Sequence, residues 1–341
     1  MGEADTRVWT IARAADGTLR VLAVGERRAT GGKLSNAAKL RGALFRDVER
    51  AAVDVLDSGI PAVAGDVVGQ PVRHPSTGVA VAAVVGFEAG AVERCAADLA
   101  TWVWIPPAES GPPRLYLSLA AMNLLGVSED YRDRSTHGPA DFFTRVPSLG
   151  LAIKHVDWIS GPPAPGSADQ RADHVVRSAD LGVVRDDGVA VSVESIEVRT
   201  PSAEILGIGW EVSTPRESTL ADAILADVNA RAGSTHIALL DLRFPAAPYV
   251  LRWLGGPPDG IGHGFSTGQN SGIHPDDRPA VTAAIITAAT MPRNEPVPVA
   301  ARIRALTGGW IRMHAVAWFV DHTVAPGVVA VQVTHTSCDS D

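Results

Sequence analysis

The segment Ile273-His274-Pro275-Asp276-Asp277-Arg278 has the composition of a helix start. Pro275 fixes the φ angle of a first helical turn, where the missing N–H costs nothing. The carboxylates of Asp276 and Asp277 would lie at the positive end of the helix dipole. We therefore predict a helix from this point, with an apolar face, that ends before Pro292. A second signal, Gly308-Gly309-Trp310-Ile311-Arg312, follows further along and predicts the start of a strand.

Strands are predicted on both sides of this helix. Residues 297–305 alternate apolar and polar side chains, which is the period of a half-buried strand. A preceding amphipathic helix at 217–232 leads into a predicted hairpin. The predicted strands of this part of the chain are 237–242, 249–254, 297–305, 310–320 and 327–333.

This arrangement resembles the third-type PAS sensory fold over residues 217–337. In that family a His-Pro-Asp-Asp-Arg run opens a helix and a Gly-Gly-Trp run opens the next strand. The resemblance gives His274, Pro275, Asp276, Asp277, Arg278 and Trp310 a structural role. It also implies a cavity between sheet and helices, which Trp253, Phe265 and Trp318 could line; ordinary core packing of these aromatic residues is the competing interpretation.

Residues 95–213 resemble a second, divergent copy of the same fold. A strand pair at 102–105 and 114–118 precedes a short helix that ends in Leu125-Gly126. Closing strands are predicted at 189–198 and 204–212. Between these parts we predict a helix-like stretch at 169–179.

The first ninety residues contain two predicted hairpins, at 8–24 and 67–87, separated by a long helix. Ser35 or Asn36 would cap the helix, and Gly59-Ile60-Pro61 would end it. The second hairpin resembles the central strands of a GAF domain. The chain is thus predicted to be an α+β protein with an abbreviated GAF-like domain at 1–92, a divergent PAS-like domain at 93–214 and a PAS domain at 215–341. This layout is similar to conserved actinobacterial, mycobacterial-type triple-domain proteins.

The composition excludes several partners. A net charge of −8 and a pI near 5.7 argue against nucleic acid and anionic membranes, which require clustered positive charge. Cys95 and Cys338 cannot form a disulfide framework, and neither lies in a metal-type pair. The chain has no apolar run long enough to cross a membrane, and we expect a cytoplasmic location.

An enzyme is the main alternative to a sensory protein. Gly264-Phe265-Ser266-Thr267-Gly268 matches the Gly-x-Ser-x-Gly pattern of serine hydrolases, with Asp276 and His314 downstream in the required order. The glycine-rich surroundings lack the strand before the serine and the helix after it that a nucleophile elbow needs. We therefore expect no catalytic residues and retain a Ser266 hydrolase as the alternative.

No metal or cofactor is expected from the histidines and cysteines. Haem-binding PAS domains use a histidine on the helix before the last three strands, which makes His174 the best-placed residue and His155 the second. A surface or capping role is the favoured interpretation of both. Neither cysteine has the neighbours that flavin photochemistry requires.

The predicted function is a cytosolic signalling protein. It would sense an apolar small molecule or a protein partner through its GAF-like and PAS-like domains. Without a recognisable effector domain, its output would be a protein–protein contact, with a homodimer as one form of it. Fold resemblance alone does not identify the ligand or the partner.

Overall fold

The structure, a computed structural model, describes residues 7–37, 40–107, 113–134, 136–160, 175–212, 236–242, 249–254, 256–261, 272–291, 295–320 and 327–338. It contains three antiparallel sheets flanked by helices, so the predicted α+β class is confirmed. The strands are β1 (Val8–Arg13), β2 (Leu19–Val24), β3 (Arg27–Arg28), β4 (Ala62–Ala64), β5 (Val67–Arg73), β6 (Ala80–Gly86), β7 (Ala100–Ile105), β8 (Arg114–Leu117), β9 (Val176–Val184), β10 (Ala190–Arg199), β11 (Ile205–Val212), β12 (His236–Asp241), β13 (Tyr249–Leu254), β14 (Val297–Arg304), β15 (Trp310–Phe319) and β16 (Val328–Cys338). The helices are α1 (Leu34–Ala37), α2 (Gly42–Ser58), α3 (Ala89–Asp98), α4 (Leu119–Leu124), α5 (Glu129–Arg132), α6 (Pro139–Phe143), α7 (Leu149–Ser160) and α8 (Arg278–Thr290).

The first sheet has the order β3-β2-β1-β6-β5-β4, and α2 packs on one of its faces. The buried residues of α2 include Val48, Ala51, Ala52 and Val55, a stripe with the spacing of one helix face. The helix ends at Gly59, whose φ is 71° and whose N–H donates to the Val55 carbonyl. The predicted hairpins and this helix end are confirmed.

The predicted start of the long helix is wrong. Ser35 and Asn36 belong to the separate short helix α1, and α2 begins at Gly42 without a side-chain cap. The backbone is extended at Arg41 and has a φ of 62° at Gly42, which a continuous right-handed helix does not allow. The sequence therefore forms two helices where one was predicted.

The second sheet has the order β8-β7-β11-β10-β9. The strands β7, β8, β10 and β11 lie where they were predicted. The helix-like stretch predicted at 169–179 is wrong in its described part. Residues 176–179 begin β9, which pairs with β10 from Val176↔Val198 to Val184↔Ala190. Leu181 and Val183 are buried while their neighbours are more exposed, which is the period of a strand.

The first two sheets share one hydrophobic core. Val84 and Leu22 of the first sheet lie in the same buried cluster as Val103, Ile196 and Leu206 of the second. Such a core between facing sheet surfaces removes apolar area from water on both sides. The two sheets therefore form one packed body.

The third sheet has the order β13-β12-β16-β15-β14 and is covered by α8. Val281, Ile285 and Ala288 of α8 join a core that includes Trp253 and Ala317. All five strands lie at the predicted positions; the helix predicted at 217–232 is outside the described residues.

The three sheets share one strand order. When the five strands of the second or third sheet are numbered along the chain, their order across the sheet is 2-1-5-4-3. The first sheet has the same order when its edge strand β3 is left out.

The contacts divide the chain into two compact units. One comprises Met1–Pro106, Leu115–Ser135 and Gly161–Arg216, and the other Pro107–Arg114, Thr136–Ser160 and Glu217–Asp341. Each predicted domain range holds one sheet, but α6 packs against β13 of the third sheet, and the segment that holds α6 and α7 belongs to the same unit as that sheet. The division into domains at 1–92, 93–214 and 215–341 stays a prediction.

Candidate functional site

A cleft of about 350 Å³ opens beside α2 and the β1–β2 hairpin of the first sheet. Its volume lies at the lower end of the roughly 300–1,000 Å³ that is usual for small-molecule sites. Three segments form its walls: one face of α2, the end of the β1–β2 hairpin, and the residues around α1. The lining residues are Arg13, Gly17, Thr18, Leu19, Lys33, Leu34, Ser35, Phe45, Glu49 and Val53.

The α2 wall is a single stripe of side chains. Phe45, Glu49 and Val53 are four residues apart and therefore lie above one another on the same helix face. One turn further, the Asp57 carboxylate pairs with the Arg13 guanidinium of β1 at 2.8 Å. This ion pair is half-exposed and adds little to stability, but it holds Arg13 at the edge of the cleft.

The hairpin wall is fixed by a network around Asp16. Its carboxylate accepts hydrogen bonds from the Thr18 N–H at 3.0 Å and the Thr18 hydroxyl at 2.6 Å, and pairs with Arg20 at 2.8 Å. Partial burial raises the pKa of Asp16, but the hydrogen bonds from Thr18 and Arg20 outweigh it and hold the pKa below its usual value. The turn is therefore pre-organised, with the carboxylate ionised.

The third wall is formed by Lys33, Leu34 and Ser35, where the chain leaves the edge of the first sheet and enters α1. Lys33 forms a β-bridge with Arg20, and the Val21 N–H donates to the Gly32 carbonyl at 3.1 Å. Lys33 is exposed, whereas Leu34 is buried in the α2-side core. No ion pair joins Lys33 or Glu49 to any residue in the described part of the chain.

Two of these walls also touch the second sheet, within the same compact unit. The Ala15 N–H, next to the hairpin turn, donates to the Arg199 carbonyl of β10 at 2.7 Å. Gly31 lies so close to Val176 of β9 that a Cβ there would be 2.3 Å from the valine side chain.

A side-chain contact strengthens this junction. The Arg28 guanidinium of β3 donates to the Ala179 carbonyl at 3.0 Å and pairs with the Asp180 carboxylate. The cleft walls and the neighbouring strand β3 are therefore in direct contact with β9 and β10.

The predicted pocket residues of the PAS domain do not line this cleft. Trp253 is buried in the core of the third sheet, and Trp318 is half-buried on β15. Their strands, β13 and β15, are separated by β12 and β16. Phe265 and His174 lie outside the described residues.

The hydrolase hypothesis depends on Ser266, and the second choice of haem ligand is His155. Ser266 lies outside the described residues, so the hydrolase stays a prediction. His155, the second haem choice, is 1% exposed on α7, with its ring centroid 5.7 Å from that of Phe142 and 5.5 Å from that of Phe143. The described residues contain no group of three metal-ligating side chains.

The His-Pro-Asp-Asp-Arg segment connects α8 to two strands. The His274 N–H donates to the Arg302 carbonyl at 2.8 Å, and its ring meets the Trp310 ring edge-on, with centroids 4.6 Å apart. His274 also accepts a hydrogen bond from the Asp276 N–H at 3.3 Å. Pro275–Asp277 form a 3₁₀ turn before the helix, and the Arg278 guanidinium donates to the Ile273 carbonyl at 3.4 Å. These contacts are structural.

Sequence reasoning missed the charged residues of the cleft, Arg13, Lys33 and Glu49. The one available signal was the four-residue spacing of Phe45, Glu49 and Val53, which places a carboxylate between two apolar side chains on one helix face.

No known protein family and no curated protein matches the sequence. An uncharacterized protein from Mycobacterium tuberculosis, known from a crystal structure, is similar over 96% of this chain and 95% of its own, with a TM-score of 0.66 and 15% identity. A sensory box histidine kinase/response regulator from Burkholderia thailandensis E264 aligns with 43% of this chain and 95% of its own at 14% identity, with a TM-score of 0.24. An RNA-binding light-oxygen-voltage receptor aligns with 69% of this chain and 94% of its own at 10% identity, also with a TM-score of 0.24.

The mycobacterial structure shows that this arrangement of elements is shared along nearly the whole chain, and at this identity it shows the fold alone. The other two similarities are too distant to support an argument. The described residues also contain no helix of the length and hydropathy that a membrane span requires.

Proposed function

We propose that this protein is a sensory regulatory protein that binds a small molecule in the cleft beside α2 and responds through contact with a protein partner. One observation carries the proposal: the walls of the cleft are bonded to the second sheet. The Ala15–Arg199 hydrogen bond and the Gly31–Val176 approach make the cleft and β9–β10 parts of one packed structure. The proposed role is binding and relay rather than catalysis.

The relay follows from the linkage between binding and conformation. A ligand shifts a protein between two arrangements only when it binds them with different affinity. Closing the cleft would require movement of the Asp16–Leu19 turn or of the Lys33–Ser35 segment. Because close-packed interfaces do not deform continuously, such a movement would be passed to β9 and β10.

The output is proposed to be a protein–protein contact, either with another protein or with a second copy of this chain. The apolar ligand expected from the PAS resemblance would need space near Trp253 and Trp318. Trp253 instead packs among aliphatic side chains of the third sheet. We therefore place ligand binding in the cleft of the first domain.

Native mass spectrometry of the full-length protein, purified from cells, tests the binding step. Val53→Trp would fill the cleft, while Val63→Trp adds the same bulk at an exposed position on β4. We expect a bound small molecule in the wild type and in Val63→Trp, and none in Val53→Trp. Retention of the molecule by Val53→Trp would place it elsewhere, and a protein that stays empty through a metabolite thermal-shift screen would contradict ligand sensing.

Hydrogen exchange tests the relay in the same samples. Ligand should slow amide exchange in β9 and β10 of the wild type as well as in the cleft walls. Protection confined to the cleft would show that the ligand is bound without transmission to the second sheet.

A further inference from the structure

The charges and apolar surfaces of the cleft define a class of ligand. We propose that the cleft binds a zwitterion with one carboxylate, one ammonium group and an apolar side chain, the chemistry of a hydrophobic amino acid. This inference rests on the proposed function, because it assumes that the cleft is the ligand site.

The first step is the arrangement of charge. Lys33 on one wall and Glu49 on another carry opposite charges, and neither has an ion-pair partner among the described residues. Both line a cleft of about 350 Å³ without meeting each other. A ligand with a single charge would satisfy one of them and repel the other, whereas a zwitterion satisfies both.

Arg13 determines which end of the cleft favours the carboxylate of the ligand. Arg13 is one of the lining residues, but Asp57 already neutralises much of its charge through the 2.8 Å contact. Because arginine has five N–H donors, the ion pair leaves donors for a further oxygen. Arg13 and Lys33 therefore favour the carboxylate, and Glu49 favours the ammonium group.

The remaining lining supports an apolar side chain on the ligand. Phe45 and Val53 are half-exposed on either side of Glu49, and Leu19 and Leu34 belong to the facing walls. Burying the exposed parts of Phe45, Val53 and Leu19 together with an apolar ligand group is favourable, and Leu34 is already buried beneath them. Thr18 and Ser35 add hydroxyl groups that donate and accept hydrogen bonds.

Three related compounds separate these contributions by isothermal titration calorimetry with the full chain. L-phenylalanine has both charges, 3-phenylpropanoate lacks the ammonium group, and 2-phenylethylamine lacks the carboxylate. We expect each analogue to bind more weakly than phenylalanine, by up to about fivefold, the size of effect that one exposed charge contact gives. High salt should reduce this difference, because exposed charges are screened.

Two variants that each remove one charge assign the two contacts. Lys33→Gln should weaken phenylalanine and 3-phenylpropanoate but not 2-phenylethylamine. Glu49→Gln should weaken phenylalanine and 2-phenylethylamine but not 3-phenylpropanoate. Asp54→Asn changes an exposed carboxylate of α2 that does not line the cleft, and it should bind all three compounds as the wild type does.

The possible failures are distinguishable. If the analogues bind as tightly as phenylalanine, or if Lys33→Gln weakens all three compounds equally, the zwitterion is wrong and the cleft remains the ligand site. If none of the three binds but another metabolite binds the wild type and not Val53→Trp, the ligand class alone is overturned. If no compound binds, the proposed sensory function fails with it.

Discussion

Asp277 and Arg302 form a bidentate ion pair that joins the turn before α8 to the C-terminal part of β14. The two carboxylate oxygens of Asp277 accept from the Arg302 Nη2 at 2.8 Å and Nε at 3.0 Å. The backbone N–H of Arg302 adds a third bond at 2.8 Å. These bonds hold the pKa of Asp277 at about 2, against a partial desolvation that opposes them. The planar guanidinium presents two N–H groups side by side to the two carboxylate oxygens, which the ammonium group of a lysine cannot do.

Replacing Asp277 with alanine should lower the free energy of unfolding by about 1–3 kcal/mol at neutral pH, because three hydrogen bonds to a charged group are lost. The sign of the pH dependence follows from the lowered pKa. The contribution is complete above the ordinary value of 3.8 and is lost as the pH falls through about 2. Urea unfolding at pH 7 and near pH 3 measures the free energy of unfolding of the wild type and the variant. The difference between these two free energies should be smaller near pH 3.

Asp276→Ala is the matched control for this experiment. The Asp276 side chain is 77% exposed and lies 3.6 Å from Arg302, so its loss should cost little. An equal loss of stability in both variants would mean that helix-end charge, rather than the bidentate pair, stabilises this segment.

Gly207 should not tolerate a side chain. A Cβ there would lie 2.0 Å from Nε1 of Trp102, a buried indole that donates to the Glu197 carboxylate at 2.9 Å. Gly207→Ala should therefore lower the free energy of unfolding by about 2–3 kcal/mol through overpacking. The same change at Gly182 of β9 meets open space and should be nearly neutral. Thermal melts of both variants measure the difference; equal melting temperatures would show that Trp102 can move aside.

Much of the fold was predictable because its signals are local. The strands β14 to β16 follow from alternation and turn residues, and α8 follows from Pro275 with its two aspartates. The failures come from competition between local signals and tertiary contacts. The end of the 169–179 segment was interpreted as helix, but Val176 begins a strand that completes the second sheet beside β10. The apolar pattern alone predicts one continuous helix, but the positive φ of Gly42 interrupts it.

The cleft could not be predicted in the same way. It exists because residues 13–19, 33–35 and 45–53 meet in three dimensions, and no pattern within any one segment specifies that meeting. The helices at 139–160 were missed because Pro147 and Gly150 interrupt their periodicity. The packing of α6 against β13 depends on contacts that are distant in sequence.

Arg252 is expected to hold these helices against the third sheet. It is 5% exposed on β13 and donates to the carbonyls of Val146 at 2.9 Å and Pro147 at 2.8 Å, between α6 and α7. Arg252→Ala should cost about 2–3 kcal/mol of stability, because buried carbonyls lose a charged donor. It should also speed proteolysis within 136–160. Arg304→Ala, at an exposed position on β14, is the control; unchanged protection in Arg252→Ala would contradict this role.

The buried ring of His74 should make the protein less stable in mild acid. Burial lowers the pKa of His74, and the charge of Glu204 opposes this shift only in part. Its Nδ1 accepts from the N–H groups of Ser76 at 3.0 Å and Thr77 at 3.2 Å, an arrangement that requires the neutral ring. The ring also packs against Tyr116, with centroids 5.3 Å apart.

Because the pKa is lowered in the folded state, the contribution of His74 is complete above its ordinary value of 6.5 and is lost as the pH falls through the folded value. His74→Asn keeps a side-chain acceptor for the turn but does not titrate in this range. We expect the stability advantage of the wild type over His74→Asn to be largest above pH 6.5 and to shrink below it. Urea midpoints measured across this range, with His314→Asn as an exposed-histidine control, test this. An advantage that stays constant as the pH falls would show that the folded protein accommodates a protonated His74.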